Sequence, residues 1–448
     1  MLAGIGTGKK SSKKGGPSNP MKITYVAAGS GQTYCGACMR DVALVRGLMA
    51  EGHDVTTLPL YIPLSVEGPS PAVDRIFYSG ISAWLQQHFS LFRRNLGPVD
   101  WLLDRPVLLK LISRFAIQTS GEGLGPMTVS VLKGRQGNQR KELERLMSYL
   151  EALDTPDVVN LTNSLLSALA PEVKEAFGVP VVCGLQGEEE FVDTFRPHWR
   201  QRTMDLIRSH ADSIDLFTAP YESYADRMTG FLGVDRDRIR TVPPGVDMSP
   251  YGEPGERQTE PFRIGFLSPI CHNKGVDLLC EAFCRLTAAD GDDARLSIAG
   301  ELQSGDREFW RGACRVLEGE GLGERLENRG HLEQRERVEF LKSLSVFAMP
   351  SRVEECRGVP CIEALACGVP IVVPRRGILP DIVERTGGGL IVPPDDPEAL
   401  SDAIARLRDD PEMADHMGRR GREGVHEHYS GKAVAAASLR VYEEVMGG

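Results

Sequence analysis

Residues 350–370 read PSRVEECRGVPCIEALACGVP and indicate how this part of the chain folds. The apolar run Leu344–Met349 just before them predicts a buried strand. Pro360 favours the first turn of a helix, and Gly368 favours the residue just past its end. The stretch therefore predicts a strand, a glycine-bearing loop and a helix.

Two carboxylates, Glu355 and Glu363, stand eight positions apart in this unit, one on the loop and one in the first helical turn. The N–H groups of the loop and the positive end of the helix favour an anion between them. A diphosphate flanked by two hydroxyl-bearing rings, as in a nucleotide sugar, fits this arrangement. The alternative is an ordinary strand–turn–helix unit with acidic surface residues.

The pattern Glu-x7-Glu with an internal glycine, followed by Glu-Ala-x-Ala-x-Gly-x-Pro, resembles the donor-site signature of retaining GT-B glycosyltransferases of the family-4 type, the glycosyl transferases of group 1. Residues 387–394 (GGGLIVPP) and 396–400 (DPEAL) are similar to the end of that family's C-terminal domain. The resemblance extends over nearly all of residues 21–448 and is strongest in the second half. It implies two Rossmann-like, doubly wound parallel-sheet domains, an interdomain cleft and a C-terminal helix that crosses back onto the first domain.

The composition argues against several classes of protein. At 448 residues the chain is too long for one core, so two or three domains are expected. A net charge of −10 argues against nucleic acid as a partner. Ten scattered cysteines, with neither an 18-residue apolar run nor a secretory apolar core, lead us to expect a cytoplasmic protein.

Residues 1–20 are rich in Gly, Ser and Lys and predict a disordered tail or an upstream start. Each lysine near an anionic membrane contributes only about 1 kcal/mol, and salt screens that attraction. We therefore expect at most weak peripheral contact with the inner face of a membrane.

From Met21 onward, short β-rich runs alternate with helical segments, which predicts a parallel, doubly wound α/β fold. We expect the first, acceptor-side domain to comprise residues 21–243 and 429–448, and the second, nucleotide-sugar-binding domain to comprise residues 261–428. The Gly- and Pro-bearing stretch 244–260 predicts the linker. The predicted strands are Lys22–Ala27, Asp54–Leu60, Val158–Leu161, Val179–Leu185, Leu216–Ala219, Ile264–Leu267, Leu296–Ala299, Leu344–Met349, Ile371–Val373 and Leu390–Val392.

A long helical insertion with large apolar side chains lies between Ala83 and Leu153. We interpret these side chains as core, with an acceptor groove or a membrane-facing patch as the alternative. They are Trp84, Phe89, Phe92, Trp101, Leu108, Leu109, Ile112 and Phe115.

Lys274 stands at a predicted strand-to-helix corner, where its charge can meet a diphosphate; a solvated surface lysine is the alternative. In the resembled family this Lys-Gly pair acts with an arginine five residues earlier, where this chain has Pro269. Loss of one such group typically costs ~2.7–4 kcal/mol. We hypothesise that Arg357, directly before Gly358, takes over part of that role by clamping phosphate oxygens, with an ion pair to Glu354 as the alternative.

Gly36 lies where the resembled family has a paired-glycine loop whose backbone approaches the sugar and phosphate, and only glycine permits that approach without a Cβ clash. Cys35 stands in place of the second glycine. The sequence Cys35-Gly36-Ala37-Cys38 also has the spacing of a redox motif or of half a zinc site. We disfavour both alternatives, because the surrounding fold pattern is wrong for them.

Gln186 follows a predicted strand, at a position where the resembled family usually has a histidine that reaches the donor sugar. Its amide can hydrogen-bond a hydroxyl but cannot carry a proton. We interpret the acidic run 188–190 as a solvated loop. Because there is no Asp-x-Asp motif at a strand end, and the aspartates within 290–293 lie in a predicted surface turn, we expect no metal dependence.

These patterns and the resemblance predict a cofactor-independent enzyme that moves a hexose, with retention, from a nucleoside-diphosphate sugar to a hydroxyl of a glycan, lipid or small molecule. Glu355 would hold hexose hydroxyls and Glu363 the ribose. The predicted catalytic residues are Lys274, Arg357 and Glu355. The predicted donor-binding residues are Gly36, Gln186, Lys274, Glu355, Arg357, Gly358, Val359, Pro360 and Glu363.

Two alternatives stay open at this point. Pro269, Gln186 and Cys35 alter three family positions together, which would suit a non-catalytic relative that only binds sugar nucleotides. Another GT-B enzyme, such as a nucleotide-sugar epimerase or a phosphorylase, would need a catalytic acid or a cofactor lysine that we do not find in the sequence.

Overall fold

Two six-stranded parallel sheets form the framework of the protein, seen in a computed structural model. The first sheet comes from residues 22–241 and the second from residues 263–392. The residues that the structure describes are 20–29, 36–61, 72–73, 76–78, 80–93, 121–253, 260–288 and 293–447.

The first sheet has the strand order β2-β1-β3-β4-β5-β6, and every neighbouring pair is parallel. Five of its strands overlap predicted ones. The short edge strand β6 was not predicted. The strands are β1 (Lys22–Ala27), β2 (Asp54–Pro59), β3 (Val158–Leu161), β4 (Val181–Gly184), β5 (Leu216–Ala219) and β6 (Ile239–Thr241).

The second sheet has the strand order β12-β11-β10-β7-β8-β9, again with every neighbouring pair parallel. The edge strand β9 was not predicted because its sequence, LENRG, is polar and only partly buried. The strands are β7 (Arg263–Leu267), β8 (Arg295–Ala299), β9 (Leu326–Gly330), β10 (Val346–Ala348), β11 (Ile371–Pro374) and β12 (Gly389–Val392).

Helices follow most of the strands, as a doubly wound fold requires. In the first half of the chain they are α1 (Gly36–Ala50), α2 (Gly80–His88), α3 (Gly121–Leu132), α4 (Arg140–Glu151), α5 (Leu169–Phe177), α6 (Glu188–Asp193), α7 (Pro197–His210) and α8 (Glu222–Leu232). In the second half they are α9 (Val276–Ala288), α10 (Arg307–Gly319), α11 (Gln334–Lys342), α12 (Val359–Ala366), α13 (Leu379–Thr386), α14 (Pro397–Asp409), α15 (Pro411–His428) and α16 (Gly431–Gly447).

The helical insertion contains α2, α3 and α4, and its described part is only partly core. Leu132, Leu143 and Leu146 are buried in an apolar cluster that extends from the first domain into the second. Phe89 is 51% exposed and its ring meets those of Trp84 and Phe92, so the prediction of a core position is wrong for Phe89. The predicted apolar residues from Trp101 to Phe115 lie outside the described residues.

The last helix, α16, packs against α1, as the resemblance implied. The chain enters it beside the linker: Val246 N–H donates to the Tyr429 carbonyl at 2.9 Å, and Gly431 N–H donates to the Val246 carbonyl at 3.0 Å. Farther along, Tyr442 Oη donates to Asn160 Oδ1 at 3.0 Å. The C-terminus thus returns to the first domain, while the exact linker limits stay a prediction.

None of the helices in the described part of the chain combines the length and apolar character needed to cross a membrane.

The contact between α1 and α16 depends on a glycine. A Cβ atom on Gly47 would lie 2.1 Å from the carbonyl oxygen of Gly431. We predict that Gly47→Ala lowers the midpoint of urea unfolding, because overpacking costs about 1–3 kcal/mol and exceeds the ~1 kcal/mol gained from helix propensity. Gly230→Ala, in α8, is the control because nothing lies within 4 Å of its Cβ position. An equal or higher midpoint for Gly47→Ala would contradict this packing.

Candidate active site

In each sheet the strand order reverses at one point. The candidate residues lie near these two points. In the second sheet the reversal falls between β7 and β10, and in the first between β1 and β3. Ligands of open parallel sheets bind beyond the carboxyl ends of the strands at such a point. Lys274 follows β7, and residues 350–358, here called the donor loop, follow β10.

Gly275 allows the Lys274 corner to approach the donor loop. Its φ is +72°, and a Cβ atom there would lie 1.9 Å from the carbonyl oxygen of Pro350. No other residue type fits this conformation and this contact. Arg352 N–H then donates to the Asn273 carbonyl at 2.9 Å, which ties the two segments together.

Lys274 and Glu355 form an ion pair at the centre of this junction, with 2.5 Å between Nζ and Oε1. Ser351 Oγ donates to the same carboxylate oxygen at 2.7 Å. The side chains of Lys274 and Glu355 are 23% and 13% exposed, so this lysine is not the solvated surface residue of the alternative interpretation. The pair holds a cation and a carboxylate together at the end of β10.

The donor loop is braced on its other side by the segment after β11. Gly377, with φ +55°, lies so close that a Cβ atom on it would be 2.3 Å from the Glu355 carbonyl oxygen. Its N–H donates to Glu354 Oε2 at 2.7 Å, and Ile378 N–H donates to the Glu355 carbonyl at 2.8 Å. Gly275 and Gly377 therefore contact the loop from opposite sides.

The start of α12 follows the prediction for this stretch. Gly358 has φ +59° and precedes the helix, Pro360 lies in its first turn, and Gly368 has φ +79° just past its end. A Cβ atom on Gly358 would lie 2.5 Å from Ile382 Cδ1, so this bend also requires glycine. The N–H groups of Gly358 and Val359 belong to this bend.

The first domain meets the donor loop through two of the predicted site residues. Arg357 Nη1 donates to the Gln186 carbonyl at 2.7 Å. The Cβ position of Gly36 lies 3.7 Å from Arg357 Nε and 3.5 Å from Val359 Cγ2. The structure therefore brings Gly36, Gln186 and the donor loop together, and it pairs Arg357 with a carbonyl of the first domain.

Glu363 lies in a different environment from Glu355. It is fully buried, and its Oε1 accepts hydrogen bonds from Tyr251 Oη at 2.8 Å and Arg337 Nε at 3.0 Å. Arg337 Nη2 also lies 3.8 Å from Met39 Sδ in the first domain. We did not foresee Tyr251 or Arg337, although a buried arginine on the apolar face of the charged helix α11 was the available signal.

The prediction of a solvated acidic loop is wrong for two of its three residues. Glu188 is buried and accepts hydrogen bonds from Ser164 N–H, at 3.0 Å, and from Ser164 Oγ, at 2.7 Å. Glu189 accepts a hydrogen bond from Tyr224 Oη at 2.6 Å. Glu190 is exposed, as predicted. Partial desolvation raises the pKa of Glu190, and the charges of Lys274 and Arg357 oppose that rise.

The cysteine motif is only partly described. Cys35 lies outside the described residues, and Cys38 is 4% exposed in the apolar cluster of β1, α1 and α16. This position indicates a packing role for Cys38. Of the predicted surface aspartates, Asp290 and Asp292 also lie outside the described residues. Among the residues that are described, no group of three His, Cys, Asp or Glu side chains is arranged to hold a metal ion.

Family comparisons agree with this geometry. Residues 252–424 match the family described as "Glycosyl transferases group 1", and residues 125–249 match "Glycosyltransferase Family 4". The first match contains Lys274, the donor loop and Glu363, and the second contains Gln186.

Several curated proteins are similar in sequence. A D-inositol 3-phosphate glycosyltransferase of Paenarthrobacter aurescens is 28% identical over 291 residues, which are 62% of this chain and 70% of that protein. An MMP alpha-(1->4)-mannosyltransferase of Mycolicibacterium hassiacum is 30% identical over 234 residues, which are 52% of this chain and 54% of that protein. The alignments thus span about half to two-thirds of these relatives.

Solved structures show the fold over nearly the whole chain. HepE from Anabaena, in complex with UDP, has a TM-score of 0.64 at 14% identity and covers 95% of this chain and 100% of its own. A sucrose-phosphate synthase from Thermosynechococcus elongatus has a TM-score of 0.65 at 16% identity and covers 95% of this chain and 99% of its own. The fold is GT-B, as predicted.

The fold is that of the GT-B class, and the family matches identify the protein as a glycosyltransferase. The chain belongs to the glycosyl transferases of group 1, the family-4 type, which confirms the predicted family and enzyme class.

Arg352 anchors the start of the donor loop to α9, since its two terminal nitrogens each lie 2.7 Å from a carboxylate oxygen of Asp277. Burial raises the pKa of Asp277, but hydrogen bonds and charge from Arg352 outweigh it and lower that pKa below its ordinary value. A carboxyl with a lowered folded-state pKa stabilises the fold above its unfolded pKa. This stabilisation is lost as pH falls through the folded value.

We predict that Asp277→Asn lowers the Tm at pH 7 by about 2–4 °C, the effect of roughly 1 kcal/mol on a domain of this size. Because the pair loses its charge in acid, the difference from the wild type should shrink below about pH 4. Scanning calorimetry at several pH values measures both effects. Asp212→Asn, at a fully exposed carboxylate, is the control and should leave the Tm unchanged. A Tm difference independent of pH would contradict the ion pair's role.

Proposed function

We propose that this enzyme transfers a hexose from a nucleoside-diphosphate sugar to an acceptor hydroxyl, with retention and without a metal ion. The observation that carries the proposal is the Lys274–Glu355 pair, held at the strand-order reversal of the second sheet. The donor loop that contains Glu355 also meets Gly36 and Gln186 of the first domain through Arg357. A cation, a carboxylate and the N–H groups of Gly358 and Val359 suit a diphosphate joined to a polyhydroxylated ring.

The proposed reaction breaks the bond between the sugar C1 and the diphosphate oxygen, and forms a bond between C1 and the acceptor oxygen. The departing diphosphate keeps the electron pair of the broken bond. Lys274, Arg357 and the N–H groups of the loop stabilise its growing negative charge. The acceptor proton passes to a phosphate oxygen of the leaving group, so the reaction needs no side chain as general base.

Glu355 is assigned to the hexose. Lys274 and Ser351 both bond its Oε1, so Oε2 is the oxygen that we assign to a sugar hydroxyl. Glu363 is assigned to the ribose. Since its carboxylate is fully buried between Tyr251 and Arg337, a ribose reaches it only when one of these side chains or a whole domain moves. Domain motion around a bound substrate is common in enzymes with such clefts.

Arg357 is proposed to replace the phosphate-binding arginine that the resembled family has at the position of Pro269. Its guanidinium stands between the donor loop and Gln186, and it can turn from the Gln186 carbonyl to a phosphate oxygen. Two terminal nitrogens suit two phosphate oxygens at once.

Arg357→Ala should therefore lower kcat by about 10²–10³, because the variant loses one stabilising group for the leaving diphosphate. The Kd of the sugar nucleotide should change much less than kcat. Steady-state kinetics and calorimetric binding measure the two quantities. Arg375→Ala is the matched control, since Arg375 is 64% exposed near the same strand ends and pairs with Glu384. An unchanged kcat with an intact donor affinity would disprove the role of Arg357.

Release of nucleoside diphosphate from a panel of sugar nucleotides tests the proposed function itself. UDP-glucose and a mannose nucleotide belong in the panel, because HepE binds UDP-glucose in a solved complex and one relative is named a mannosyltransferase. We expect slow release by the wild type, no release by Lys274→Met, and the same rate in a chelator. Binding without any release would favour the non-catalytic alternative. Activity lost in the chelator and restored by a divalent ion would overturn the prediction of metal independence.

A further inference from the structure

The side chain of Gln186 is held by a series of buried hydrogen bonds. Its Nε2 lies 2.7 Å from the carbonyl oxygen of Thr162 and 2.6 Å from Thr162 Oγ1. A carbonyl oxygen only accepts hydrogen bonds, so the atom facing Thr162 is the NH₂ group of the amide. Gln186 Oε1 consequently points away from Thr162.

The last member of this series of hydrogen bonds is Asp41, a residue of α1 whose side chain is buried and only 2% exposed. Its Oδ2 accepts a hydrogen bond from Thr162 Oγ1 at 2.7 Å, and its Oδ1 accepts one from Tyr25 Oη at 2.7 Å. An ionised carboxylate can only accept, so the Thr162 hydroxyl must donate to Asp41 and accept from Gln186. Gln186 Nε2 also lies 3.4 Å from Asp41 Oδ1. Asp41 therefore fixes the Thr162 hydroxyl as an acceptor and, together with the Thr162 carbonyl, holds the NH₂ group of Gln186.

The positive charge of Arg40 stabilises the ionised form of Asp41. Burial raises the pKa of Asp41, and Arg40 and the hydrogen bonds from Thr162, Tyr25 and Gln186 act in the opposite direction. Arg40 is itself 6% exposed.

This arrangement leaves the side-chain oxygen of Gln186 without a hydrogen-bond donor among the described residues. This oxygen, Oε1, is buried. Leaving a buried acceptor unsatisfied costs about 1–3 kcal/mol. The backbone of the same residue touches the donor loop through Arg357. Gln186 thus borders the donor loop through its backbone, and its side-chain oxygen is a buried acceptor that a ligand hydroxyl could pair.

We propose that Asp41, acting through Thr162, is a positioning residue that presents the carbonyl oxygen of Gln186 to a hydroxyl group of the donor sugar. This inference rests on the proposed function. A site that offers only an acceptor selects a sugar with a free hydroxyl at that position, because a deoxy sugar leaves the buried oxygen unpaired. Gln186 is then a specificity-determining residue, and Asp41 and Thr162 together hold the NH₂ end of its amide away from the ligand.

The test compares the affinity for the sugar with the affinity for the nucleotide alone. For the sugar nucleotide that the wild type turns over, titration calorimetry gives its Kd, the Kd of the free nucleoside diphosphate and the Kd of the matching deoxy-sugar nucleotides. The ratio of the Kd of the free nucleoside diphosphate to the Kd of the sugar nucleotide gives the contribution of the sugar to binding. In Asp41→Asn the new NH₂ group competes with the Thr162 and Tyr25 hydroxyls, so the direction of this series of hydrogen bonds is no longer fixed.

We expect Asp41→Asn to reduce the contribution of the sugar about tenfold, the value of one hydrogen bond of roughly 1.4 kcal/mol. The Kd of the nucleoside diphosphate should stay within about twofold, and discrimination against one deoxy sugar should disappear. Thr162→Val should behave in the same way and serves as the second variant if Asp41→Asn does not fold. Thr162→Ser keeps the hydroxyl and should restore the wild-type ratio.

Tyr442→Phe is the control. It removes a buried hydroxyl of the first domain that is hydrogen-bonded to Asn160 and not to Asp41 or Thr162. An unchanged sugar contribution in folded Asp41→Asn and Thr162→Val would overturn the inference and leave the proposed function intact. An equal loss for nucleotide and sugar nucleotide would show general damage and would also overturn it. A wild type that binds no sugar nucleotide would overturn both.

Discussion

The site depends on the close approach of two glycine-bearing turns to the donor loop. Gly275 touches the backbone of Pro350 and Gly377 touches that of Glu355, each at a distance that a Cβ atom would prevent. Between these contacts the loop has little freedom, so Glu355 is held against Lys274 before any ligand arrives. A preorganised cation and carboxylate can act on a diphosphate sugar without first paying the entropy of ordering themselves.

The first domain completes this site with Gly36, at a glycine position of the resembled family, and with Gln186, where that family usually has a histidine. Gly36 lies against the donor loop, and Gln186 receives Arg357 through its backbone while Asp41 and Thr162 hold its side chain. The cleft therefore joins a cationic, preorganised second domain to a first domain that offers neutral hydrogen-bonding groups. This division suits a charged nucleotide on one side and an uncharged sugar on the other.

The sequence predicted the fold well, and it singled out the two residues that the structure pairs, Lys274 and Glu355, because both inferences depend on local signals. Central strands are continuous apolar runs, and Lys274, Glu355 and Gly358 occur in short motifs with a direct physical meaning. The polar edge strands β6 and β9 have no such signal. Four side chains around the site were not predicted, since their partners lie far away in sequence. These are Asp41, Thr162, Tyr251 and Arg337.

The most direct test is a crystal structure of the protein with a bound nucleoside diphosphate. We predict that the diphosphate lies beyond the ends of β7 and β10, with its oxygens within about 3 Å of Lys274 Nζ and of the N–H groups of Gly358 and Val359. The backbone of residues 350–358 should be unchanged, because two glycine contacts already hold it. A nucleotide bound elsewhere, or a donor loop that rearranges to receive it, would contradict the account.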